Sequence, residues 1–322
     1  MYRYLRFLAL LAAGAAIAHP AWSQAYPSHP VRIVVPFAAG SATDIMARIL
    51  ADELRATFDQ SFIVDNKPGA SAQIGAEIVA KAPPDGYTLF VTTNTSHSAN
   101  PFLFKKLPYD PIRDFAPVAN IMRIPVIFVV EPKLAVKTLP ELIAYTKANP
   151  GKVSFGYGNS IGQVVGASFA KRAGLDVITV PYKSTPQAMT DVMSGQVTYA
   201  VTDMASGRAL VDSGKLRALA VSTRKRTPMM PDLPTIAETP GLEGFEVIAW
   251  VALFAPAGTP KDIVDKLNAV VRKALTKPEV KERIAGFAAD VASSTPEELG
   301  EFVKEQLDSW GKSIKEAGIQ PE

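Results

Sequence analysis

Short apolar runs alternate with longer amphipathic stretches along most of this chain. Residues 31–36 (VRIVVP) form a short apolar run that ends at a proline, which predicts a buried strand. The following stretch, 44–58, sets Ile45, Ile49, Leu50 and Leu54 at helical spacing, with Ser41 or Thr43 as its cap and Asp44 in its first turn. The same reading predicts strands at 62–65, 87–92, 125–130, 153–155, 177–180, 197–201 and 216–221. Helices fall at 73–80, 139–148, 164–172, 186–193 and 206–213. Thr185 reads as the cap of the 186–193 helix, with Pro186 in the first helical position and Gly195 past the end. A long apolar strand covers 247–255, and the remaining chain carries amphipathic helices at 263–275 and 297–317. Strand-then-helix repetition of this kind predicts an α/β protein with helices on both sheet faces.

The first 25 residues stand apart from that pattern. Arg3 and Arg6 precede an unbroken apolar run at 7–18 (FLALLAAGAAIA), the length of a signal-peptide core and well short of the ~20 residues that span a bilayer. Small residues in AWSQA place cleavage after Ser23 or Ala25, so the mature chain is expected to be exported. Without the two arginines it carries 32 basic against 31 acidic side chains, a balance that argues against a nucleic-acid partner. The chain has no cysteine, which excludes disulfides, thiolate nucleophiles and cysteine-ligated metal sites, and three histidines give no basis for a His-rich one. No cofactor is implied. A length of 322 residues allows two domains.

Three strand-to-helix loops are candidates for chemistry. PFAAGSATD (36–44) brings Phe37, Ala39, Gly40, Ser41 and Thr43 to a helix N-terminus, where unpaired N–H groups attract an anion and small residues permit its approach. It matches neither a Walker loop nor a dinucleotide fingerprint, and an ordinary capped turn is the plainer reading. GYGNSIG (156–162) contains a G-x-S-x-G around Ser160, the pattern of a hydrolase nucleophile elbow. That chemistry needs a histidine base after the serine, and no histidine follows His97. Ser160 therefore reads as a helix cap or ligand hydroxyl, with an exported serine hydrolase as the alternative. A third cluster joins YKSTPQA (182–188), with Lys183 and Thr185, to Asp203 in TDMASG (202–207). The polar loop TNTSHSAN (93–100) adds Thr93, Asn94, Thr95 and Ser98, with His97 read as exposed.

At these residues the chain resembles the Bug, or TctC, family of periplasmic receptors. The resemblance is carried in order by YPSHPVRIVVPFAAGSATD, KPGASAQIGA, PPDGYTLFVT, LPYDPIRDFAPV, ELIAYTKANPGKVSFG, VPYKSTPQA, GKLRALAVST, PDLPTIAE, AWVALFAPAGTP and the final AGI. It implies a type II periplasmic-binding-protein fold, two α/β lobes with a ligand cleft between them. Lobe 1 is expected at 26–126 and 248–322, and lobe 2 at 127–247. It also implies capture of a small carboxylated solute, mono-, di- or tricarboxylate, and delivery to a membrane permease of one large and one small subunit. An orphan sensor or scavenger of the same fold is the other reading. In such receptors the loops matching 37–43 and 93–98 hold a ligand carboxylate through backbone amides and bridging waters. The opposite lobe contributes loops matching 156–163, 184–187 and 202–204, hence Gly158, Ser160, Gln163, Thr185 and Asp203. This chain departs from the pattern with AAGSA in the first loop, where a Gly-Gly pair and a proline are usual. It departs again at Gln163, where a histidine is usual.

Overall fold

The computed structural model describes residues 26–322 except Lys183, Pro228 and Ala288. The export segment read at 1–25 and the candidate Lys183 thus lie outside the described residues. Three strand-and-helix units open the fold. β1 (Val31–Val35) leads to α1 (Ala42–Phe58), and β2 (Phe62–Asn66) leads through a turn at Ala70–Ala72 to α2 (Gln73–Ala80). β3 (Thr88–Thr93) leads to a π-helical turn, Thr95–Ala99, and α3 (Asn100–Leu103). β4 (Phe115–Ile124) and β5 (Val126–Val130) are separated by Pro125 alone. Next come α4 (Leu139–Ala148), β6 (Ser154–Tyr157), α5 (Ser160–Arg172), β7 (Ile178–Pro181), α6 (Thr185–Met193), β8 (Tyr199–Asp203), α7 (Met204–Asp212) and β9 (Arg217–Val221). A long connection returns to β10 (Ala249–Pro256), followed by α8 (Lys261–Ala274), α9 (Pro278–Gly286), β11 (Asp290–Val291) and α10 (Pro296–Glu316).

The strands form two mixed sheets. One has the order β11-β4-β10-β3-β1-β2, the other β7-β6-β8-β5-β9. Each sheet, with helices on both faces, makes one lobe of a two-lobed α/β fold. β3, β1 and β2 are parallel, as are β7, β6 and β8, while β10 and β5 run antiparallel to their neighbours.

The two-residue period of the strands sorts the core. In the first sheet Val31, Ile33 and Val35 bury with Met46, Leu50 and Leu54 of α1, while Val34, Phe90, Trp250 and Phe254 bury against α2 and the start of α10. In the second, Phe128 and Tyr199 pack with Phe169 of α5, and Ile127, Val129 and Ala200 pack with Ala188, Met189 and Val192 of α6. Each fully buried large apolar side chain stabilises the fold by about 1.5–3 kcal/mol, so burial on both faces is what makes these short parallel strands stable.

β4 has no counterpart among the predicted strands. Pro117 and Asn120 interrupt any apolar alternation, and its pairing with β10 shifts register twice, between Val251 and Ala252 and between Leu253 and Phe254. Pro117 is tolerated because β11 pairs only with Met122 and Arg123, leaving the proline end of β4 without a second neighbour. The apolar strand expected at 247–255 is β10, a central strand of the first sheet.

α10 ties the two lobes together. A Thr295–Glu298 capping box starts it, and Leu299, Val303, Trp310 and Ile314 form one buried stripe. Its last turns reach α5: the Ser168 hydroxyl donates to the Ser313 carbonyl (3.2 Å), and Arg172 pairs with Glu316 (3.2 Å).

Candidate functional site

In open α/β sheets a ligand crevice forms beyond the carboxyl ends of parallel strands. Here the loops after β1 and β3 in one lobe and after β6, β7 and β8 in the other occupy those ends. The loop after β3 and the loop after β6 touch where the Thr95 and Ser160 hydroxyls share a buried hydrogen bond of 2.9 Å.

The loop after β1 turns at Gly40, with φ +83°, and exposes Ala38, Ala39 and Gly40. Ser41 caps α1 by accepting from the Asp44 N–H at 3.2 Å. Thr43 is buried in the first turn and Phe37 is half-buried. Asp44 organises this loop. Its carboxylate accepts from the Gly40 N–H (2.9 Å), from Asn66 (2.9 Å) and from Arg48 (3.1 Å), while Asn66 also donates to the Phe37 carbonyl (3.0 Å). Burial alone would raise this carboxyl, but the hydrogen bonds from Arg48, Gly40 and Asn66, with the Arg48 charge, hold it below the usual carboxylate range. The Gly40 N–H is thus engaged by Asp44. The amides of Ala42 and Thr43, at the first two helical positions, have no intrahelical acceptor and are donors this loop can offer.

The loop after β3 is the largest surprise. The segment read as a polar loop is buried from Thr93 to Asn100 and wound into the π-helical turn. Thr93 Oγ1 accepts from the Thr95 N–H (3.2 Å), and the Tyr109 hydroxyl donates to the Ser96 carbonyl (2.9 Å). His97, expected to be exposed, is wholly buried among Phe90, Phe115, Trp250 and Phe254, with its ring 4.1 Å from that of Phe254. Burial pushes it down to about 3, so it is neutral. The Asn94 side-chain amide and the Ser98 hydroxyl are buried without a protein hydrogen-bond partner. Such groups are costly unless something fills them, and a buried unpaired N–H₂ suits an acceptor oxygen.

In the second lobe Gly158 permits close packing: a Cβ there would lie 2.0 Å from the Thr185 nitrogen. Asn159, not Ser160, caps α5, accepting from the Gly162 N–H at 2.9 Å while donating to Thr185 Oγ1 at 3.2 Å. Ser184, not Thr185, holds the N-cap position of α6, and Thr185 is its first residue. Gln163 is half-buried in the first turn of α5. Asp203 caps α7 by accepting from the Ser206 N–H at 2.7 Å. Ser160 bonds Thr95 and His97 bonds Ser96 (2.9 Å), so the elbow-like serine and the only buried histidine among the described residues are engaged elsewhere. Among those residues no cluster of His, Asp and Glu is placed to hold a metal, and no helix is long and apolar enough to cross a membrane.

Sequence reasoning missed Asn66, Asn159 and Tyr109. Asn159 had a signal, an Asn just before a helical stretch. Asn66 and Tyr109 had none, because their partners lie 13 to 29 residues away in sequence.

The sequence matches the family described as "Tripartite tricarboxylate transporter family receptor" over residues 46–319. A Pseudomonas sp. (strain P51) protein encoded in the tcbD-tcbE intergenic region is 37% identical over 91% of this chain and 87% of its own length. Protein BugT of Bordetella pertussis is 34% identical over 99% of each. Among solved structures, R. palustris Rpa4515 with adipate superposes with TM-score 0.86 at 34% identity, over 92% of this chain and 100% of that one. The periplasmic binding protein BugD gives 0.83 at 36% with the same coverage. MatC of Rhodopseudomonas palustris with bound malate gives 0.81 at 33%, over 90% and 100%. The chain therefore belongs to the tripartite tricarboxylate transporter receptor family, TctC, and is a two-lobed solute-binding protein.

Proposed function

We propose that this receptor captures a small carboxylate in the cleft between its lobes and hands it, without chemistry, to a permease of one large and one small subunit. The observation that carries the reading is the buried contact of the β3 loop with the α5 N-terminus, beside the unpaired Asn94 amide of that same loop, while α1, α6 and α7 begin after parallel strands of their own sheets. Helix ends and neutral donors favour an anion. Rpa4515 and MatC, crystallised with adipate and malate, make dicarboxylates the first class to test. The proposed lobes are 26–126 with 248–322, and 127–247; Pro125 and the return connection before β10 fit as the crossings. Residues 1–25 would be a cleaved export signal, consistent with relatives that are periplasmic.

A thermal-shift and calorimetry screen of aliphatic and aromatic mono-, di- and tricarboxylates tests this, since a ligand bound only by the folded state raises stability. At least one acid is expected to stabilise the protein at low concentration and its methyl ester is not. Equal binding of acid and ester would refute an anion site.

A further inference from the structure

We propose that Asp44 is the positioning residue of the first-lobe loop and Arg48 its counter-charge. Together they shape the loop and leave the Ala42 and Thr43 amides to a solute's carboxylate, a role that rests on reading the solute as a carboxylate. Asp44 sits in the first turn of α1, and its side chain is 2% exposed. Both its oxygens are filled. Oδ2 accepts from the Gly40 N–H (2.9 Å) and from Arg48 Nε (3.1 Å), while Oδ1 accepts from Asn66 Nδ2 (2.9 Å) and from Arg48 Nη2 (3.0 Å). These donors use up the acceptor sites of an ionised carboxylate. The Asn66 amide also donates to the Phe37 carbonyl (3.0 Å), and the Ser41 N–H donates to the Ala38 carbonyl (3.2 Å). The loop is thereby held on both shoulders and closed between them. Every member of this network belongs to one lobe, so its geometry is independent of how far the cleft is open.

A buried carboxylate at a helix N-terminus works against an anion site. It takes the attraction of the helix dipole for itself and repels a second negative charge on the same turn. Arg48 removes that conflict. Its guanidinium meets Asp44 side-on through Nε and Nη2, the forked geometry of a strong Arg–carboxylate pair, so the pair carries no net charge. On β2 the other acidic group, Asp65, is occupied by Arg32 (2.6 Å) and Lys67 (3.1 Å), which leaves Arg48 as the counter-charge of Asp44. The Arg48 side chain is 53% exposed, so it can be replaced without opening the core. Its loss would leave a bare negative charge beside the Ala42 and Thr43 amides, while Gly40 and Asn66 still hold the loop.

Two measurements test this. Calorimetry with adipate and malate, the acids held by Rpa4515 and MatC, reads binding, and carbon-13 NMR of the Asp44 carboxyl, with the Gly40 amide signal, reads the network without any solute. Arg48→Gln should weaken binding of whichever acid the parent takes by roughly tenfold, the scale of one unit charge acting through partly solvated protein. Arg48→Lys keeps the charge and should retain most of the affinity. The double variant Asp44→Asn/Arg48→Gln should bind more tightly than Arg48→Gln, because the bare charge is gone; merely structural losses would add instead. In the NMR arm the Gly40 amide should titrate together with Asp44, and Arg48→Gln should move that titration to higher pH. If neither acid binds the parent, the choice of dicarboxylates fails and the NMR arm alone decides the network. Should the double variant not fold, Arg48→Lys against Arg48→Gln carries the charge test. Unchanged affinity in Arg48→Gln, a double variant that binds no better than it, or an Asp44 titration indifferent to Arg48 would overturn the assignment.

Discussion

Acidification should destabilise this receptor through one side chain, His97. Its ring lies wholly buried against Phe254 and Phe115, and its one polar partner is the Ser96 hydroxyl on Nδ1, with Nε2 unpaired. Burial pushes its folded-state value down to about 3, against about 6.5 in an unfolded chain. Above pH 6.5 both states are neutral and the residue has no pH effect. Between those values the unfolded state binds a proton that the native state refuses, so stability falls as pH drops. At 1.36 kcal/mol per pH unit, lowering the pH from 7 to 5 costs about 2 kcal/mol, or roughly 3 °C of Tm at the usual unfolding entropy per residue. The carboxylates held below their usual range, such as Asp44, Asp65 and Asp110, lose their contributions only at lower pH and leave this window clear. Denaturant unfolding at pH 7, 6 and 5 measures the slope, with His97→Phe as control. The substitution keeps an aromatic ring in an aromatic box, so its absolute stability can move while its slope should vanish. A parent without a slope, or a variant with the same slope, would refute the assignment.

Two further outcomes follow from backbone geometry. Gly158→Ala should cost 2 kcal/mol or more, because its Cβ would collide with the Thr185 nitrogen at 2.0 Å, and the collision partner is backbone, which cannot swing aside; chemical denaturation reads the loss, and a change below about 0.5 kcal/mol contradicts the packing. Ser71→Gly should stabilise by about 0.5–1 kcal/mol, since Ala70, Ser71 and Ala72 hold three consecutive positive φ values (45°, 49° and 71°) that a glycine adopts freely; the Ser71 carbonyl that accepts from Asn100 is kept, so a lowered denaturation midpoint would contradict the strain argument.

Most of the fold was legible because its signals are local. The helix at 73–80 and the strand at 31–35 follow from apolar spacing and punctuation by Gly and Pro, which act within a few residues. β4 was not legible, because Phe115–Ile124 is a strand only through two register shifts against β10, a segment more than 120 residues later. The π-helical turn at Thr95–Ala99 was hidden for a related reason. Thr, Ser and Asn read as loop formers when considered alone, and only burial under Phe115, Trp250 and Phe254 gives this run a helical solution.

The site divides along the same line, and Ser160 shows where. Its G-x-S-x-G setting allowed a nucleophile, a helix cap or a ligand hydroxyl, since all three need only a serine at the end of a strand. The cap was decided by one neighbour: Asn159 has the longer acceptor arm and takes the Gly162 N–H. The nucleophile was disfavoured by composition and then by geometry, as the one buried histidine among the described residues is committed to Ser96 and an aromatic box. What no local pattern could supply is the partner that Ser160 has, a threonine 65 residues earlier, in the other lobe. A hydroxyl aimed at its own lobe would be a detail of packing. Aimed across the cleft, it couples the loop that ends β3 to the helix that starts after β6, so any ligand entering between them must compete with that bond or settle beside it.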